Sequence, residues 1–334
     1  MTKQDKTHQT RPLVADDLER VIEIDSRYTG HRRHGFFRNR LEAALAKPQG
    51  FVFLGCDKDN LLQGYLLARL QEGEYGTAGH FALMDAISVD PESCTRGIGR
   101  SLLEALDSIL QHKGIREIHT QVDWHNLQLL RFFAGSGFSL AARHILERRV
   151  GNLSDFEYID TLVEEATQRG DANDYSDAEG DQRGALARDI IPCRLMRETD
   201  LAAIVKIDRH ILGRERQAYY ERKLAEAMDE SGIRVSLVAE QDDHVVGFAM
   251  ARVDFGEYGR IEPVAVLDSI AVDPGYTHHL VGTALLSQLL ANLAALKIEY
   301  VRSVADAEYF DVLKFLQRNG FEVSQRLAFV RAVG

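Results

Sequence analysis

The stretch ISVDPESCTRGIGRSLLEAL (87–106) combines residue types that could hold an anion. An apolar run ending at Val89-Asp90-Pro91 reads as a strand. Leu102, Leu103, Leu106, Ile109 and Leu110 form one stripe of a helix, and Gly97 and Gly99 stand at the junction. Glycines where a helix begins let backbone N–H groups approach a ligand closely, and the helix adds the positive end of its dipole. A phosphate or pyrophosphate is the natural guest. The same glycines would also serve a turn that merely packs tightly. The loop is neither a Walker motif nor a dinucleotide fingerprint, because no Gly-Lys-Ser/Thr follows and no third glycine has the required spacing. Adjacent His278 and His279 lack i,i+4 or carboxylate company, so no metal is expected.

The elements that must position this loop occur twice. Shifting the chain by 183 residues aligns Asp17-Leu18 with Asp200-Leu201, Ile24-Asp25 with Ile207-Asp208 and Gly64 with Gly247. The shift also aligns Val89-Asp90-Pro91 with Val272-Asp273-Pro274, Gly99 with Gly282 and Gly137-Phe138 with Gly320-Phe321, and GEYG (73–76) recurs at 256–259. A long period seen twice means two copies of a domain of about 140 residues, not a solenoid. Within the first copy, helices are expected over 15–25 and 36–45 and a hairpin over 51–56 and 61–70 around the turn DKDN. A strand over 81–89, the helix from Gly99, a strand over 116–122, a helix over 126–136 and a terminal strand region from Phe138 follow. The fold class is α/β with a mixed sheet.

A length of 334 residues with 45% apolar and 27% charged residues is that of a globular chain with two cores, and apolar runs long enough to cross a bilayer are lacking. The opening MTKQDKTHQTRP is polar, and three widely spaced cysteines (Cys56, Cys94, Cys193) build neither a disulfide framework nor a zinc cluster. Membrane attachment and secretion are therefore not expected, and a reducing cytoplasm fits best. The net charge of −11 argues against nucleic acid as a partner. Most of it is local: residues 1–150 carry +1, residues 151–192 carry −8 and residues 193–334 carry −4. The expected organisation is a tail over 1–10, a first domain over 11–150, an acidic flexible linker over 151–192 with a possible short helix over 156–170, and a second domain over 193–334.

The order helix, helix, hairpin, strand ending V-D-P, then R-G-I-G-R and an apolar helix resembles the GNAT superfamily of acetyl-CoA-dependent acyltransferases, whose signature is Arg/Gln-x-x-Gly-x-Gly/Ala. A second element, the Asn126-led segment NLQLLRFFAGSGF, resembles the family's Asn-led helix ending in Gly-Phe. The resemblance covers 11–150 and 194–333 and implies two tandem GNAT domains. It further implies that Arg96, Gly97, Ile98, Gly99 and Arg100 surround the CoA pyrophosphate. Ile87 and Val89 would bind the pantetheine arm through their main chain, and Asn126 would touch acetyl-CoA where the strands part. Cys94 stands where the family has its leading Arg/Gln. In the second copy Thr277, Leu280 and Tyr309 stand for the leading Arg/Gln, the first glycine and Asn126, so little or no CoA binding is expected there.

The resemblance also points to catalytic candidates. Asp85 lies four residues before Val89, where several members carry a glutamate base, and Asp268 is its counterpart. A carboxylate of ordinary acidity needs burial or a water relay for that task. Phe133 and Leu316 occupy the position of the family's tyrosine acid, which leaves water, His125 or Cys94 to protonate the thiolate, or transfer without an acid, since CoA thiolate is a tolerable leaving group. The basic, aromatic stretch GHRRHGFFRNR (30–40) lies in the family's acceptor entrance and resembles a selector for a carboxylate-bearing acceptor, or else a solvated helix face over an aromatic core. The expected activity is acetyl transfer from acetyl-CoA, as cosubstrate, to a primary amine of a small molecule or to a protein lysine or N-terminus. The first copy would be catalytic and the second structural or acceptor-shaping, and a homodimer is compatible with this. A non-catalytic acyl-CoA-sensing or interaction protein is the competing expectation.

Overall fold

The computed structural model describes residues 8–72, 80–94, 97–151, 180–225, 233–254, 258, 263–277 and 279–334. In chain order the first elements are β1 (Gln9–Pro12), α1 (Leu18–Thr29), α2 (His34–Ala46), β2 (Phe51–Lys58), β3 (Leu61–Glu72), β4 (His80–Val89), α3 (Ile98–His112), β5 (Glu117–Asp123), α4 (Leu127–Gly135) and β6 (Ser139–Leu140). Next come β7 (Arg143–Arg149), α5 (Gly180–Ile190), β8 (Cys193–Leu195), α6 (Leu201–Leu212), α7 (Gln217–Ala225), β9 (Leu237–Gln241), β10 (His244–Asp254) and β11 (Val264–Val272). The chain continues with α8 (Val281–Ala295), β12 (Tyr300–Asp306), α9 (Phe310–Arg318), β13 (Glu322–Val323) and β14 (Arg326–Ala332). Among the described residues no helix is long and apolar enough to cross a membrane.

Two units form, each a seven-stranded mixed sheet with helices on both faces. The first sheet has the order β1-β2-β3-β4-β5-β14-β6, and the second β13-β7-β12-β11-β10-β9-β8. Among the described residues only β4–β5 and β11–β12 pair in parallel. The hairpin β2–β3 turns on Asp59 and Asn60, both at positive φ, and β9–β10 turns on Asp242 and Asp243 in the same way. These are the residue types that a two-residue turn matched to strand twist accepts most readily. In unit 1, α3 and α4 cover one face over a core including Leu66, Met84, Leu102, Leu106, Ile118 and Phe133. The opposite face carries α1 and α2 over Val21, Ile24, Phe37, Tyr65 and Leu67.

The linear division expected from the repeat is not the one the contacts draw. Strand β14, the end of the second copy, lies between β5 and β6 in unit 1, while β7, the end of the first copy, pairs with β12 in unit 2. The copies have exchanged their final strands. A two-residue link, Ala141-Ala142, joins β6 to β7, and Ser324-Gln325 joins β13 to β14. Neither link has the Gly, Asn or Asp that turning back at that length calls for, so the chain runs on. Tyr258, from within the second copy, also groups with unit 1. Strand β1 begins at Gln9, inside the stretch expected as a tail, and pairs with β2.

The segment expected as a linker ends in structure. Helix α5 covers 180–190, and its Gly184 and Ala187 let it lie close to α8: a Cβ on Gly184 would fall 2.8 Å from Ser287 Oγ. Ala187 and Ile191 enter the unit 2 core. Small residues hide this helix from a search for large apolar side chains. The short helix expected over 156–170 and the first GEYG lie outside the described residues.

Because each unit borrows a strand, a cut between residues 152 and 179 should leave two pieces that stay associated. With a protease site inserted after Ala172, the cleaved protein is expected to elute from a sizing column as one species. Separation without denaturant would refute the exchange.

Candidate functional site

The register of β4 sets the geometry of unit 1. Its parallel pairing with β5 consists of Ala82–Ile118 and Leu83–His119, although β4 runs on to Val89 and β5 to Asp123, so the strands part. At the parting point Thr120 Oγ1 donates to the Met84 carbonyl at 2.9 Å, occupying an acceptor that the ladder no longer serves. On the other side, pairing with β3 passes from Leu67–Ala86 to Ala68–Met84, leaving Asp85 as the extra residue of a bulge. Ile87 and Val89 lie on the parted stretch and pack partly against the α3 core.

Beyond Val89 the chain is pinned and then turned into α3. Buried Asp90 pairs with Arg20 and, at 2.9 Å, with Arg27 of α1, and its carboxylate accepts from the Glu92 N–H. Helix α3 starts after Gly97, whose φ is +82°. Its first helical bond is Ser101 N–H to the Gly97 carbonyl, and among the described residues no side chain caps this end. The N–H groups of Gly97, Ile98, Gly99 and Arg100 therefore precede the ladder. A Cβ on Gly97 would meet nothing within 4 Å, whereas one on Gly99 would come 3.0 Å from the Phe132 ring. Gly97 supplies conformation and open approach, while Gly99 supplies close packing of α3 on α4. Arg96 lies outside the described residues. Cys94, half-buried, has its Sγ 3.3 Å from the hydroxyl of exposed Tyr28, which donates to the Val89 carbonyl at 2.6 Å. Burial and the thiol beside it push the Tyr28 phenol above its ordinary range.

Asn126 is the N-cap of α4, its Oδ1 accepting from Leu129 N–H at 3.0 Å. His125 is exposed beside it, its ring against Trp124 and its Nδ1 2.9 Å from Asp123 Oδ1. Burial raises the Asp123 carboxyl, but hydrogen bonds from the His125 backbone and ring, with the charge of Arg326, hold it below the ordinary carboxylate range. Asp85, by contrast, is 1% exposed, and Arg69 donates to both of its oxygens at 2.7 Å. No described hydrogen bond or ion pair joins Asp85 to His125; they lie at the bulge of β4 and beyond the end of β5. Phe133 is buried in an aromatic cluster with Phe138 and Phe329.

Unit 2 repeats the frame and alters the loop. Asp268 is likewise the bulge residue of β11, with Arg252 at 3.4 Å and Lys223 at 3.5 Å. Leu280 takes the place of Gly97 and adopts the same left-handed conformation, with φ +63°. For a residue with a Cβ this costs about 1–2 kcal/mol, against which Leu280 packs on the unit 2 core.

The alternation of REIHTQV already separates Ile118, Thr120 and Val122 from Glu117, His119 and Gln121, a polar row overlooked when single residues are weighed alone. His119 is buried, with Nε2 2.9 Å from Glu117 Oε2 and its ring against Phe81. In the basic stretch 30–40, expected as a selector for carboxylates, Arg33 is buried and Arg40 half-buried against carboxylates of the same unit, while Arg32 and Arg38 are exposed. Arg33 pairs with Asp25, Arg32 with Glu19 at 2.7 Å and Arg40 with Asp85 at 3.9 Å, over buried Phe36 and Phe37.

Each copy thus has a parting parallel strand pair beside a helix N-terminus, and the family model of the Acetyltransferase (GNAT) family matches residues 18–138 and 201–321. The chain belongs to that family and carries its domain twice. A mycothiol acetyltransferase of Clavibacter michiganensis subsp. michiganensis is 26% identical over 142 residues, which is 41% of this chain and 44% of that protein. The match thus spans less than half of that relative's length. A tandem GNAT protein from the clavulanic acid biosynthesis pathway has a similar fold, with a TM-score of 0.63 and 12% identity over 98% of this chain and 99% of the other. A GCN5-related N-acetyltransferase from Sphaerobacter thermophilus gives 0.59 and 15% over 99% and 97%.

Two measurements check these assignments. Asp85→Asn removes the carboxylate that accepts both hydrogen bonds from buried Arg69 and should lower unfolding free energy by about 3 kcal/mol in denaturant titrations; an unchanged midpoint would refute the structural role of the pair. A carboxyl with a depressed folded value contributes stability that is complete above its unfolded value and lost as pH falls through the folded one. In His125→Ala the Asp123 carboxyl, followed by NMR titration, should therefore move up, and the acid loss of stability should begin at higher pH.

Proposed function

We propose that unit 1 is an acetyl-CoA-dependent N-acetyltransferase acting on a primary amine and that the second copy completes its fold and shapes its acceptor side. The observation that carries this reading is Gly97, left-handed and open above its Cα, at an uncapped helix N-terminus beside parted strands. The N–H groups from Gly97 to Arg100, with Arg96 beside them, would hold the pyrophosphate, where backbone donors and the helix dipole favour negative charge. The main chain of Ile87 and Val89 would hold the pantetheine arm, with Asn126 at the opposite lip. When bound, acetyl-CoA supplies the acyl group as a thioester.

Asp85 is buried and held by Arg69 and Arg40 for the frame, so any part it takes as the base would run through a water relay rather than by direct contact with the amine. His125, oriented by Asp123, is the candidate proton donor to the departing thiolate, a task that Phe133 cannot perform. The second copy supports unit 1 through β14 and through Tyr258, whose carbonyl accepts from Arg326 at 2.9 Å. A reducing cytoplasm is the compartment proposed for the chain, on the small number and wide spacing of its cysteines in the sequence.

Calorimetric titration is expected to find one acetyl-CoA site per chain. Leu280 demonstrates a leucine in this conformation, so Gly97→Leu should fold, lose about 1–2 kcal/mol of stability and bind acetyl-CoA at least about tenfold more weakly. Leu280→Gly should leave the affinity unchanged. Affinity insensitive to Gly97→Leu would refute the reading.

A further inference from the structure

The exchanged strands set the same two residues against each other in both units. In each antiparallel ladder an arginine of the incoming strand stands directly opposite an aspartate: Arg326 of β14 opposite Asp123 of β5, and Arg143 of β7 opposite Asp306 of β12. Side chains so placed share one face of the sheet and lie within reach of each other. In unit 2 the pair closes, with Arg143 Nε donating to Asp306 Oδ1 at 2.6 Å. In unit 1 the aspartate serves a histidine instead. Asp123 Oδ1 lies 2.9 Å from both the backbone nitrogen and Nδ1 of His125. Arg326 Nη2 donates to the Tyr258 carbonyl at 2.9 Å, and its guanidinium carbon lies 5.8 Å from the centre of the Tyr258 ring.

A guanidinium binds a carboxylate more strongly than an imidazole does, through charge-assisted bonds in a planar fork. A histidine beside such a pair therefore keeps the carboxylate only where the arginine is engaged elsewhere. Tyr258 provides that engagement. It belongs to the connection between β10 and β11 in the second copy's sequence, yet it groups with unit 1. Its φ is +55°, a left-handed conformation that a residue with a side chain adopts rarely and at a cost, and one that gathers at functional positions. The residue of the second copy that corresponds to His125 is Glu308, whose charge would repel Asp306 and leave it to the arginine. The two units thus differ together in what the aspartate holds and in where the arginine goes.

We propose that Tyr258 is a positioning residue for the proton donor of unit 1: by engaging Arg326 it keeps the Asp123 carboxylate for His125. The inference rests on the N-acetyltransferase reading of unit 1. With Nδ1 held toward Asp123, Nε2 is the nitrogen that gives up its proton. Its N–H bond breaks as an S–H bond forms on the departing thiolate, and the neutral ring that remains keeps its Nδ1 proton toward Asp123. The second copy then contributes to the chemistry as well as to the sheet, because a residue between its own strands decides which partner the aspartate of the first copy has.

Ring nitrogen-15 shifts of His125 in the full-length protein, assigned by their loss in His125→Ala, test this at about pH 8.5, where an ordinary histidine is neutral. The wild type should show the Nδ1–H tautomer. Tyr258→Pro, with φ fixed at roughly −65°, withdraws the carbonyl from Arg326. Tyr258→Val, which resists positive φ but keeps its N–H, covers the case in which proline does not fold. Either should release Arg326 to Asp123 and shift His125 toward the Nε2–H tautomer. Thiol release from acetyl-CoA is followed with n-hexylamine, lysine methyl ester and glucosamine. With whichever is acetylated fastest, kcat should fall about tenfold while the acetyl-CoA Kd stays unchanged. Adding Arg326→Met should restore both the tautomer and most of kcat. A wild-type ring in the other tautomer, a ring indifferent to Tyr258, or a loss that Arg326→Met does not reverse would overturn the proposal and leave the N-acetyltransferase reading standing. Protein that fails to bind acetyl-CoA, or binds it and acetylates none of the amines, would overturn that reading, and this inference with it.

Discussion

Where β4 leaves β5 after two paired residues, the sheet gives up ladder hydrogen bonds that an unbroken pair would keep. A backbone group buried without a partner is expensive, so the parting has to be supported from both sides. Thr120 occupies the Met84 carbonyl at the point of divergence, Tyr28 occupies that of Val89 at the far end, and the Asp85 bulge turns the strand between them. Asp90, gripped by two arginines of α1, then fixes the direction in which the chain enters α3. The helix N-terminus is thereby aimed at the opening by ion pairs and hydroxyls rather than by the glycines themselves.

Duplication within one chain separates what the fold demands from what one copy does. The Asp25 carboxylate receives Arg33 and the Tyr65 hydroxyl, and Asp208 receives Arg216 and the Tyr220 hydroxyl. Yet Tyr65 corresponds to Phe248, and Tyr220 to Phe37. In each unit the two rings meet edge to face at 5.6 Å, and the hydroxyl comes from opposite members of the pair. The requirement is therefore one donor to a buried carboxylate, not a particular residue at a particular position. Asp85 and Asp268 read the same way: a bulge carboxylate beside two cations survives in the copy whose loop has lost its glycine, so it serves the frame in both.

Much of the fold was legible in the sequence because helices, the hairpin and the glycine junction are local statements. Leu102, Leu103, Leu106 and Leu110 mark α3 by spacing alone, and Asp59-Asn60 mark a turn by residue type. Which sheet a strand joins is not local. β7 and β14 have equivalent patterns, and only the inability of Ala141-Ala142 and Ser324-Gln325 to turn back hints that they have changed places. Helix α5 escaped because glycine and alanine, rather than large side chains, make its contact. The row Glu117, His119, Gln121 was visible as alternation, but that Gln121 is buried with an open oxygen depends on what lies across the sheet.

The exchanged strands also impose an order on synthesis. Strand β14 is made after the whole of the second copy, yet it occupies an interior place in the sheet that carries Gly97. A domain that kept its own final strand could close as soon as it emerged, the usual course for an N-terminal domain. Here the first copy must wait with β5 unpaired along one edge until its sister has been built. The sister copy, though its own loop is altered, therefore acts as a timer on the maturation of the first.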